Sequence, residues 1–136
     1  MPTVLAMSRR TKRRETASFV AMPKAVINSR NYASLSGVAV KLLIQIAEQF
    51  NGYNNGDLQA SWVIMRDKGW NSNATLNRAK KELVEKGFIE QTRQGWLRPP
   101  RCALYALSWK PIDDCQGKLD VRATKVASGY WKDAKS

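Results

Sequence analysis

Between Ser36 and Gly52, apolar side chains recur three and four residues apart, at Val38, Leu42, Leu43, Ile46 and Phe50. That period gathers them on one face of an α-helix and leaves Lys41, Gln45 and Glu48 pointing elsewhere. Ser36 offers a capping hydroxyl and Asn51-Gly52 a stop, so the pattern predicts a helix over 36–50. Turn formers follow in NGYNNGDLQAS, around a brief extended stretch at 57–59. Ser61 then caps a short helix over 61–68, with Trp62 and Met65 turned inward and Val63 beside them. Gly69 closes it in the left-handed conformation that other residues resist. A third stripe, Leu76, Ala79 and Leu83 with Val84 at its edge, predicts a helix over 73–86, capped by Ser72 and ended by Gly87.

The period then changes. Phe88–Thr92 and Cys102–Leu107 read as strands, separated by RQGWLRPPR, whose glycine and paired prolines interrupt a strand. This predicts a hairpin over 88–109 with an exposed basic tip. Ahead of the helices, residues 19–34 form a lead-in with a short extended piece or helical turn around Val26 and Ile27. Past Pro111 the periodicity fades, and residues 111–136 read as a tail, loose or draped over the domain. Tyr130 and Trp131 are unusual in a solvated tail and point to packing back or to docking on a partner protein. Residues 1–18 carry the cluster SRRTKRRET without apolar periodicity, the mark of a flexible basic arm. At 136 residues there is material for one core between arm and tail.

Charge decides which partners to consider. The chain holds 23 Lys and Arg against 11 Asp and Glu, a net +12, which favours a polyanion, nucleic acid ahead of a membrane surface. There is no histidine, which removes His-assisted nucleophiles and His-based zinc sites. Cys102 and Cys115 lack CxxC spacing and suit a reducing compartment. With no glycine-rich phosphate loop and no clustered acids, the reading is of a non-enzyme without metal or cofactor. No apolar run is long enough to span a bilayer, and the first charges follow the apolar residues, unlike a secretory signal. The expected location is cytoplasmic and nucleoid-associated.

On the third helix, the stripe opposite the apolar one holds Ala74, Arg78 and Lys81, flanked by Thr75 and Asn77. The segment WVIMRDKGWNSNATLNRAKKELVEKGFIEQT resembles a winged helix-turn-helix domain: short helix, glycine turn, polar-capped helix, then Leu-x-x-x-Gly-hydrophobic-Ile entering a hairpin. The resemblance covers about residues 35–109 and is similar to small helix-turn-helix proteins of phages, prophages and plasmids, with YNNGDL and LDVRATKVASGYWKD adding weakly to it. It implies an α+β, mainly helical fold of three helices plus a β-hairpin wing. The turn GWNSN is about one residue longer than the family pattern, so Trp70 or Asn71 takes the place of its small packed aliphatic.

The resemblance also implies a sequence-specific duplex-DNA-binding protein, a regulator of transcription from a mobile element, with the third helix in the major groove. On that helix Arg78 pairs with a guanine edge, Asn77 or Asn73 reads adenine, and Ser72 and Thr75 suit a phosphate or thymine methyl. Lys80 and Lys81 hold phosphates. Arg93, Arg98 and Arg101 on the wing follow the backbone into the minor groove, and Arg9, Arg10, Lys12, Arg13 and Arg14 of the arm add sequence-independent contacts. Against this stands a solvated helix face whose cations pair with Glu82 or Glu85. Trp96 at the hairpin tip fits wing packing, base stacking or a protein contact. The rival functions are a replication-initiation accessory, a protein-docking module such as a phage-encoded inhibitor, and RNA binding. A homodimer through the lead-in or tail fits the class, though no heptad marks it.

Overall fold

The computed structural model describes residues 18–133. Two short helices open it, α1 (Lys24–Ile27) and α2 (Arg30–Ala33). The lead-in therefore forms helical turns and not an extended piece, because the Ser29 hydroxyl caps the second turn at Tyr32 and donates back to the Val26 carbonyl. Val26 is buried and Ile27 is left outside.

α3 (Gly37–Ala47) and α5 (Asn73–Glu85) are the two long helices and pack against each other. Ser36 and Ser72 cap them as expected, accepting from the Ala39 and Thr75 amides at 3.2 Å each. α3 stops at Ala47, ahead of the expected end at Phe50. There the Gln49 and Phe50 amides tighten onto the Ile46 and Ala47 carbonyls, and the Asn54 side chain takes the Gln49 carbonyl at 3.0 Å. Between them α4 (Trp62–Met65) runs into a 3₁₀ turn, Arg66–Lys68, closed by Gly69 at φ 91°. Gly87 ends α5: its amide reaches the Val84 carbonyl at 3.1 Å, and the next amide, of Phe88, reaches Leu83 at 2.9 Å.

The hairpin has two parts. β1 (Ile89–Arg93) and β4 (Leu104–Leu107) pair antiparallel, with Ile89 opposite Leu107 and Gln91 opposite Tyr105. At the tip, β2 (Trp96–Leu97) pairs with β3 (Pro100–Arg101) across a cis Arg98–Pro99 peptide. β4 starts two residues later than expected, since the Cys102 carbonyl is taken by the Arg93 side chain. The extended stretch 57–59 adds a bridge on the other side of β4: Leu58 and Tyr105 exchange backbone hydrogen bonds of 3.2 and 2.8 Å. The described residues thus form an α+β fold with helices and two small antiparallel sheets.

One core joins these elements. Leu42, Leu43 and Ile46 of α3, Leu76, Ala79 and Leu83 of α5, Leu58, and Phe88, Ile89 and Leu107 of the hairpin are all buried in it. Each of these leucine, isoleucine and phenylalanine side chains contributes about 1.5–3 kcal/mol by leaving water. Val38, expected in the stripe, is 41% exposed, because it sits in the first turn of α3 at the rim. Trp70 fills the place left open between it and Asn71: it is 4% exposed, and its indole N–H donates to Gln45 at 2.6 Å.

Residues 111–133 are not a free tail. They run over the domain, and each contact satisfies a backbone group that would otherwise need water. The Asp120 amide bonds the Thr92 carbonyl, Gly129 bonds Ser108, and the Asn31 side chain bonds the Trp131 carbonyl. Asn55, fully buried, is the anchor. Its side-chain amide donates to the Leu107, Lys110 and Pro111 carbonyls and accepts from the Leu107 amide, while its backbone exchanges bonds with Asp113. α6 (Tyr130–Asp133) lies against α2, with Trp131 packed at the core and Tyr130 55% exposed. No helix among the described residues is long and apolar enough to cross a membrane.

Candidate nucleic-acid interface

The outer face of α5 is set by the burial of its inner one. With Leu76, Ala79 and Leu83 fixed in the core, Asn73, Ala74, Asn77, Arg78 and Lys81 are turned to solvent. Ser72, at the exposed N-terminus, spends its hydroxyl on the Thr75 amide. Thr75 is half-buried, and its own hydroxyl accepts from the Arg78 guanidinium at 3.2 Å, which tethers that side chain without neutralising it.

The acids of α5 do not cancel this face. Glu82 reaches back to the start of α3, accepting from the Ser36 amide and hydroxyl at 2.7 Å each. A carboxylate there satisfies the Ser36 amide and favours the helix dipole. Glu85 lies 4.0 Å from Lys81, both well exposed, a pair of little energetic weight.

Lys80 differs from its neighbour. It is half-buried and, among the described residues, has no carboxylate partner. Burial is the main cause holding its ammonium below the usual lysine range. With Lys81, Val84, Glu85, Gln91 and Tyr105 it lines a groove of about 330 Å³ between α5 and the β1–β4 pair. The structure therefore brings the two lysines of the helix beside the hairpin.

The three hairpin arginines do not act alike. Arg93 is half-buried, and two of its nitrogens donate to the Cys102 carbonyl at 3.1 and 2.9 Å. Arg101 has its guanidinium carbon 3.5 Å from the Trp96 ring centre, donates to the Gln94 carbonyl at 2.8 Å and pairs with Asp120. Arg98 is exposed and, among the described residues, has no such ties. The arm residues Arg9, Arg10, Lys12, Arg13 and Arg14 lie outside the described residues.

Two contributors escaped the sequence reading. Lys41 of α3 projects to the turn before α5, its ammonium 2.9 Å from the Gly69 carbonyl and 5.1 Å from the Trp70 ring centre. Periodicity marked it only as lying off the apolar stripe. Asp120 falls in segment 111–136, and no local signal in the sequence links it to Arg101. Among the described residues no group of His, Cys, Asp and Glu is arranged to hold a metal. Comparisons with protein families, curated proteins and solved structures return no match.

Proposed function

We propose that this chain is a winged helix-turn-helix protein that binds duplex DNA sequence-specifically, with α5 as the recognition helix in the major groove and the hairpin as its wing. The observation that carries the reading is the outer face of α5: two exposed amides, an exposed arginine and an exposed lysine on a rigid, capped helix, with Glu82 withdrawn to Ser36. Amide and guanidinium groups are the side chains suited to adenine and guanine edges. An α-helix is also the element that fits the major groove. The net charge of +12 supplies the attraction to phosphates. A role in transcription of a mobile element rests on the sequence resemblance; a replication accessory would use the same surface.

Titration of a labelled random-sequence duplex across salt tests the electrostatic part. If about six cations meet phosphates, log affinity falls with log salt at a slope of about −5. A chain that ignores duplex DNA at low salt would refute the reading and leave protein docking in its place.

A further inference from the structure

The hairpin tip inverts what a solvated basic loop would show. Its polar groups are largely satisfied inside. Arg93 is spent on Cys102, and Arg101 on Gln94, Asp120 and the Trp96 ring. The Gln94 amide also donates to Asp120, at 3.0 Å. The most exposed apolar side chain of the tip is Leu97, at 84%, with part of the Trp96 ring and the exposed Arg98, Pro99 and Pro100 beside it.

This apolar point has a stiff mount. Leu97 pairs with Pro100 and Trp96 with Arg101 in the β2–β3 ladder. The guanidinium stacked on Trp96 ties that ladder to segment 111–133 through Asp120. No acidic residue occurs from Gln91 to Trp109 in the sequence. A tip with one prominent aliphatic side chain and, among the described residues, one cation without a hydrogen bond or ion pair is poor at tracking phosphates. It is well matched to a narrow, negatively charged cleft in which an apolar side chain can enter between base steps, which is the minor groove of duplex DNA.

We infer that Leu97 is a minor-groove wedge: the tip enters the minor groove with Leu97 against one base step, and Arg98 holds the adjoining backbone. Aliphatic wedges of this kind part a base step and bend the duplex away from the groove they enter. This inference rests on the duplex-binding proposal and replaces the phosphate-following role for two of the three hairpin arginines.

The test uses the full chain and a duplex it retains, end-labelled with a fluorescent donor and acceptor. Wild type is expected to shorten the end-to-end distance. Leu97→Ala is expected to leave the duplex nearly straight and to bind about tenfold more weakly, a loss of about 1.4 kcal/mol. Leu97→Met, which keeps an apolar point, should keep the bend. Thermal melts of both variants should match wild type, since the side chain contacts solvent. Equal bending by wild type and Leu97→Ala, or no bending by either, would overturn the wedge while leaving duplex binding intact. Failure of wild type to bind any duplex would overturn both.

Discussion

One terminal nitrogen of Arg101 lies between the two carboxylate oxygens of Asp120, 2.9 Å from one and 3.2 Å from the other. The contact joins the hairpin tip to a segment that follows it by 19 residues, and the Gln94 amide reinforces it. Segment 111–133 therefore sets the conformation of the tip that would face DNA.

Acidification should release this clasp. The Gln94 backbone hydrogen bond, followed by the Arg101 side chain, holds the Asp120 carboxyl below its ordinary value of 3.8. A depressed folded-state pKa means that the stabilisation is fully present above that value and is lost as pH falls through the lower folded one. The Trp96 indole resonance should accordingly stay constant from neutral pH down to about 4 and shift only below it. In Asp120→Asn the shift should vanish and the tip amides should exchange faster at neutral pH. An indole that moves identically in both proteins would separate Asp120 from the tip.

Arg78→Ala should spare the fold, because among the described residues the side chain bonds only Thr75, on an exposed face. Loss of one bidentate base contact costs about 1–3 kcal/mol, so binding to a preferred site should weaken about tenfold to a hundredfold. Binding to a random duplex should change far less. The ratio of the two affinities, measured by fluorescence anisotropy, checks this.

Lys80→Met should raise stability and lower DNA affinity together. The folded state carries Lys80 partly desolvated, with its pKa below the usual lysine value. In that case the wild type gains stability as pH rises from the folded-state pKa towards the unfolded one. The gap between variant and wild-type melting temperatures should therefore narrow between neutral pH and about pH 10. A variant less stable than wild type at neutral pH would show that the ammonium is satisfied where it lies.

Gly87→Ala should dislodge α6. Gly87 has φ 81°, and a methyl group there would collide with the Tyr130 carbonyl. The left-handed backbone alone costs about 1 kcal/mol for alanine. Mild proteolysis should cleave the variant near 125–133 while the helical core resists. A digestion pattern equal to wild type would contradict the packing of Tyr130 on this turn.

What the sequence could reveal followed distance along the chain. α3, α5, their serine caps and the two closing glycines were legible, since each depends on residues within about one helical turn. The inward stripe of α5 was legible for the same reason, and with it the exposure of Asn77, Arg78 and Lys81. The pairs that settle the surface chemistry were not. Glu82 meets Ser36 across 46 residues, and Arg101 meets Asp120 across 19. Asn55 looked like one more turn residue, yet its fully buried amide fastens segment 111–133 to the hairpin by bonds spanning more than 50 positions. The hairpin arginines all looked alike in sequence because charge is local and hydrogen-bond partners are not.

Selection from a random duplex pool, run in parallel with wild type and Arg78→Ala across a salt series, tests the central claim most directly. Wild type is expected to enrich a motif with a guanine position that Arg78→Ala no longer selects. Salt should weaken retention of both proteins along similar slopes. No enrichment by wild type, or an identical motif from both proteins, would contradict the assignment of α5 as the helix that reads DNA.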